Sequence, residues 1–143
     1  MADMNTDIIE AFRANAGVLG ADVAGGYFDG KRLVLLHHVG RVSGKEYVTP
    51  LVAATDGDAY VLVGSMAGAP KDPAWVANVE DGPGETTIEV GDQTVGVATT
   101  VVRPTAPEWE RLYGIWAEYW PAAKEYETQT DRKFPVIVLE PKA

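Results

Sequence analysis

Cysteine is absent from this 143-residue chain. That excludes disulfides, thiolate nucleophiles and Cys-based metal sites. Long hydrophobic runs are missing too: the longest reach four or five residues, such as "LVLL" at 33–36, so no segment can span a bilayer as a helix. Cations are scarce, 12 against 21 acids, giving a net charge of −9. A general nucleic-acid surface is therefore not expected. Histidine occurs only twice, at His37 and His38. Neighbours on a strand face opposite sides, so a two-His metal site is not expected, nor is any other metal centre. No Ser/His/Asp constellation is visible. The N-terminal stretch has early acids and no apolar core of a secretory signal, which reads as a cytoplasmic protein.

What is present is an ordinary globular composition, 46% apolar, with the few cations unevenly placed. Between Gly30 and Thr55 lie Lys31, Arg32, Arg41 and Lys45 against the single acid Glu46, a local balance of +3 on a strongly acidic chain. Such a segment suggests a local site for an anion, or only a chance scatter of charge.

The spacing predicts one domain over residues 1–143. A short amphipathic helix covers 5–16, capped by Asn5 or Thr6, and packs on the body or forms a mobile end; membrane contact is not expected. Strands are read at 32–39, 46–55, 59–65, 85–90, 94–103 and 134–140, several joined by hairpin turns. Pro50 suggests an edge or a bulge. A helix capped by Asp72, with Pro73 at its first position, carries Trp75, Val76 and Val79. Another covers 106–120, where Trp109, Leu112, Tyr113, Trp116 and Trp120 form one stripe, read as core or subunit interface. Residues 122–132 are polar and helical. The acids at 80, 81, 85 and 89 read as a solvated face. The class is α+β, mainly β: a six-stranded antiparallel sheet closing into a small barrel, with N-terminal, mid-chain and C-terminal helices.

The candidate site begins at "GRVSGK", residues 40–45. Glycines allow a tight turn with exposed N–H groups, Ser43 adds a hydroxyl, and Arg41 and Lys45 add charge. The stretch is either a polar turn or an anion seat, but not a P-loop, because the glycine spacing and following helix are wrong. A second loop, "GSMAGAPKDPAW", passes Ser65 and Gly68 and enters a helix beside Lys71. A helix N-terminus favours negative charge, and Trp75 on its first turn can cover a flat ligand. Two such loops suggest a phosphate-bearing cofactor with a planar ring.

The G-R-x-S-G-K turn, the K-[DN]-P-x-W segment and the T-D-R-x-x-P segment stand in the order found in the deazaflavin-dependent nitroreductase family of actinobacteria, which the chain resembles over about residues 7–141. The resemblance implies a split β-barrel and coenzyme F420, whose phospholactyl-oligoglutamate tail is strongly anionic. It implies hydride transfer from the reduced cofactor to an electron-poor planar acceptor: a nitroaromatic, a quinone or an activated enone. Carried over, Arg41, Ser43, Gly44 and Lys45 match the turn that holds phosphate and tail. Pro50 and Leu51 match the strand beneath the ring. Ser65, Met66 and Ala67 match the loop that lines ring and phosphate, and Lys71, Ala74 and Trp75 the helix start that closes over the cofactor. Tyr126 matches an acceptor-side tyrosine, so Ser65 and Tyr126 are the candidate catalytic hydroxyls. Met66, Ala74, Trp120 and Ala123 depart from the best-known member, which has Lys, Met and two Tyr there. Two other readings stay open: an FMN-dependent barrel enzyme, and a non-catalytic module binding the deazaflavin or another ligand such as haem. Either a monomer or a homodimer is compatible with the sequence.

Overall fold

The computed structural model describes residues 4–20, 31–64, 74–81, 86–130 and 133–142. In chain order the elements are α1 (Met4–Ala14), β1 (Leu33–Val39), β2 (Glu46–Val52), β3 (Ala54–Asp56), β4 (Ala59–Val63), α2 (Ala74–Asp81), β5 (Thr86–Val90), β6 (Gln93–Val102), α3 (Trp109–Tyr119), α4 (Ala123–Glu127) and β7 (Val136–Pro141). Every strand pairing is antiparallel, in the order β2-β1-β5-β6-β7-β4-β3.

The sheet has seven strands, not six. The stretch read as one strand over 46–55 is broken at Ala53, whose N–H donates to the Arg32 carbonyl at 3.0 Å. Before the break, β2 pairs with β1; after it, β3 pairs with β4. The two edge strands are thus halves of one bent segment, and the sheet curls into a split barrel. Alternation along a strand reports which face is buried, but not a change of partner, so the sequence showed one strand. Pro50 lies on β2, an edge strand, where its missing N–H is tolerated.

Both faces of β1 are buried. Leu33 and Leu35 enter a core with Ile8 and Phe12 of α1 and with Trp109, Leu112, Trp116 and Trp120. Val34 and Leu36 enter a second core with Trp75 and Val76 of α2, Ile88 and Ile137. The tryptophan stripe is therefore core. The Trp109 indole N–H donates to the Phe134 carbonyl at 2.8 Å, so its polar edge is satisfied. Each fully buried Leu, Ile or Phe contributes about 1.5–3 kcal/mol. For the short helices, such burial outweighs intrinsic helix propensity, which alone leaves an 11-residue helix marginal.

Helix boundaries shift modestly. α1 begins at Met4, so Asn5 and Thr6 lie within its first turn instead of capping it. α3 begins at Trp109, after turns at 104–108, and ends before Pro121. Among the described residues of the polar 122–132 stretch, only Ala123–Glu127 is α-helical. The expected cap at Asp72 and the following Pro73 lie outside the described residues. Glu89 is not part of a solvated face: it receives the Arg13 guanidinium at 3.0 and 2.7 Å and approaches His37 Nε2 at 2.6 Å, tying α1 to the sheet. Glu80 is exposed, as expected, and pairs with Arg103 at 2.7 Å, while Glu85 and the Asp81 side chain lie outside what is described.

Candidate functional site

The β1–β2 hairpin and α2 enclose an open cleft of about 570 Å³, within the range of small-molecule sites. It is lined by His38, Gly40, Arg41, Val42, Ser43, Tyr47, Thr49, Trp75, Ala77 and Asn78. No carboxylate is among them. The sequence-predicted residues Arg41, Ser43 and Trp75 meet here.

The turn is rigid for local reasons. Val39 pairs with Glu46, the Gly40 N–H donates to the Lys45 carbonyl at 2.8 Å, and the Gly44 N–H donates to the Gly40 carbonyl at 2.9 Å. A Cβ on Gly40 would stand 2.5 Å from Ser43 Oγ, so a larger residue beneath the turn would displace that hydroxyl. Gly44 takes φ +72°, a left-handed backbone that glycine adopts freely. The Lys45 N–H donates to Ser43 Oγ at 3.2 Å, and the Arg41 N–H to Asn78 Oδ1 at 3.1 Å. The N–H groups of Gly40, Arg41, Gly44 and Lys45 are thus engaged internally. The side chains of Arg41, Ser43 and Lys45 are exposed, and neither cation is paired with a carboxylate among the described residues.

Five cleft residues had escaped the list of site residues read from the sequence: His38, Tyr47, Thr49, Ala77 and Asn78. His38 is buried and hydrogen-bonded to Thr49 Oγ1 at 2.9 Å and Asn78 Nδ2 at 3.0 Å, with the Tyr47 ring stacked on it at 5.5 Å. Burial, chiefly, and the neighbouring His37 lower its pKa below the ordinary 6.5. Two patterns in the sequence point to these residues. His38 continues the period-2 row Val34, Leu36, and Asn78 lies three residues from Trp75 on one helix face.

Other candidates lie apart. Pro50 and Leu51 sit further along β2, opposite Leu35 and Val34, and Leu51 packs on the second core. Trp75 is nearly buried in that core as well as lining the cleft. Ala74 opens α2. Tyr126 packs against the first core on α4 and accepts the Trp120 indole N–H at 3.3 Å; it does not line the cleft. Ser65, Met66, Ala67 and Lys71 lie outside the described residues. Lys31 and Arg32 stand at the other end of β1, against Tyr119. Among the described residues no cluster of three metal-ligating side chains occurs, and no helix is long and apolar enough to cross a membrane.

A cleft with a cation, hydroxyls and aromatic walls fits an anionic, planar cofactor. Comparison with known proteins agrees. The model of a family described as F420H2-dependent quinone reductase matches residues 10–141. The chain belongs to that family. Within it, an F420H2-dependent quinone reductase of Mycobacterium tuberculosis is 36% identical over 107 residues, 74% of this chain and 71% of the relative. A solved F420-H2 dependent reductase, FDR-A, superposes with TM-score 0.66 at 31% identity, covering 76% of this chain and 93% of that one. A structure described as a domain-swapped dimer matches equally, TM-score 0.66 and 31% identity over 76% and 79%. The haem storage protein HutZ of Vibrio cholerae, TM-score 0.60 at 14% identity over 82% of this chain and 86% of its own, shares the fold alone. Family membership makes the chain an F420-dependent reductase on a split-barrel fold.

Proposed function

We propose that this F420H2-dependent reductase acts in the cytoplasm on small planar, electron-poor acceptors: quinones, nitroaromatics or activated enones. The observation that carries the reading is the cleft with Arg41 and Ser43 at its mouth and Trp75 in its wall, with no carboxylate among its described lining residues. When bound, reduced F420 supplies the hydride, from C5 of its deazaflavin. The protein's part is orientation and electrostatics. Arg41 and Lys45 hold the anionic phosphate and tail, Arg41 with a planar fork suited to two oxygens. Ser43 adds a hydroxyl, and the rigid Gly40–Gly44 turn fixes where these groups stand.

Trp75, anchored in the core, walls the ring's place, with Pro50 and Leu51 beneath it. The family resemblance adds Ser65, Met66, Ala67, Lys71 and Ala74 to the residues that would hold the cofactor. On the acceptor side, Tyr126 and Ser65 carry hydroxyls that can hold or deliver a proton. The Trp120 indole orients the Tyr126 phenol. No side chain acts as a nucleophile.

The test is a titration of the purified protein with oxidised F420, followed by intrinsic fluorescence, beside FMN and FAD. Saturable binding of F420 alone, then turnover of menadione or a simple nitroarene with F420H2, is expected. Preferential binding of FMN would overturn the cofactor's placement. Binding without turnover of any acceptor would make the chain a carrier.

A further inference from the structure

His38 is the one buried polar side chain among the described residues, and hydride transfer does not require it. Its hydrogen bonds form a chain whose polarity can be read from one end. The Arg41 backbone N–H can only donate, so the atom 3.1 Å away on Asn78 is the amide oxygen. The Asn78 NH₂ must then face His38, and it stands 3.0 Å from Nδ1. Nδ1 therefore accepts. The proton of the neutral ring sits on Nε2 and is donated to Thr49 Oγ1 at 2.9 Å.

We propose that His38 is a positioning residue for the anion-binding turn. With Nδ1 unprotonated it holds the Asn78 amide, and the amide holds Arg41 in place; with Nδ1 protonated it cannot. Either orientation of Asn78 then sets two donors face to face, against the imidazole or against the Arg41 N–H. The cleft's grip on an anionic cofactor is thereby tied to the protonation of a buried imidazole. This inference rests on the F420 reading of the cleft for its ligand, though not for its geometry.

Among the described residues, the charged and titratable groups around His38 are few. On β1, His37 points to the other face and is held by Glu89. On β2, Tyr47 stacks on the ring, and Glu46 ends the strand opposite Val39. Arg41 is in the turn. On α2, Asp81 ends the helix, and Glu80 is paired with Arg103. Burial already disfavours the imidazolium.

Two measurements test it. The first is imidazole nitrogen NMR on the free protein. His38 is expected as the Nε2–H tautomer, titrating below 6.5, with the Arg41 and Val42 amides shifting at the same midpoint. In Asn78→Asp the carboxylate accepts from Arg41 and from a protonated Nδ1, so the His38 midpoint rises. An Nδ1–H tautomer, Arg41 and Val42 amides that do not follow the titration, or a midpoint unmoved in Asn78→Asp would each overturn the proposal.

The second is the pH dependence of oxidised F420 binding, with His38→Leu as the reference for the ligand's own ionisation. Relative to that variant, wild-type affinity should fall roughly threefold to tenfold, the effect of about one hydrogen bond, as pH drops through the His38 midpoint. Parallel profiles overturn the proposal. So does wild-type binding that strengthens on acidification, which would make His38 a cation acting on the ligand. If F420 binds at no pH, the cofactor reading falls, and the NMR result decides the positioning role alone.

Discussion

At the N-terminal end of β1, Lys31 and Arg32 are engaged by the protein's own groups, although Arg32 is exposed. The Lys31 ammonium donates to the Tyr119 carbonyl at 3.1 Å and lies 5.0 Å from the centre of that ring. Arg32 lies 5.3 Å from the same ring, donates to the Ala53 carbonyl at 3.4 Å, and gives its backbone N–H to the Tyr119 hydroxyl. At the C-terminal end of the same strand, Arg41, which lines the cleft, and Lys45, at the end of the same turn, stand exposed, without carboxylate partners among the described residues. In the sequence these four residues form one basic segment. In the structure the first pair is a clamp between the sheet and α3, and the second is available to a ligand. A cation already held by carbonyls and an aromatic face must give them up before it can bind anything else.

The sharpest way to break this comparison is to neutralise each pair in turn. Arg41→Ala with Lys45→Ala should weaken F420 binding about 100-fold, the loss of two charge-assisted contacts. Lys31→Ala with Arg32→Ala should leave the Kd within about twofold. Equal losses at both ends would mean that the tail reaches around the whole strand. Stability should show the opposite order. Tyr119→Leu removes the acceptor of the Arg32 N–H and the ring beneath both cations, and should cost about 1–2 kcal/mol in urea unfolding while binding persists.

Salt should separate the ends more gently. Raising ionic strength from about 0.05 M to 0.3 M is expected to weaken F420 binding severalfold, because Arg41 and Lys45 are exposed and screened. The smallest effect belongs to the middle of β1, where His37 meets Glu89 and Arg13. The Glu89 carboxyl is held below its usual range, first by the Arg13 hydrogen bond, with His37 adding to it. Its contribution is therefore present above about pH 4.5 and is lost as pH falls through the depressed value. Glu89→Gln should cost under about 1 kcal/mol at pH 7, since Arg13 is half exposed, and nothing once the wild-type carboxyl is protonated.

These contrasts also mark what the sequence can reveal. The hairpins were legible because turn glycines and alternating apolar residues are local signals. The Trp109–Trp120 stripe was legible because one helix face needs one partner. The break at Ala53 was not, since a strand that changes partners keeps its alternation. The cleft was half legible. "GRVSGK" announces a turn with charge, but His38 becomes a site residue only when α2, some forty positions later, lays Asn78 against it. The division of the four cations was illegible for the same reason: Tyr119 arrives from the far half of the chain.

The bend at Ala53 also bears on the order in which the molecule assembles. It joins two hairpins, β1–β2 and β3–β4, each closed by a short connection and able to form within microseconds. Pairing β1 with β5, and β4 with β7, requires closing loops of about a third and about half of the chain, and these steps set the pace. Because the bend ties the two hairpins together, seating one brings the other near its place at the opposite edge. The turn that carries Arg41 and Ser43 belongs to the first hairpin, so the anion-facing part of the site takes shape before the barrel around it is complete.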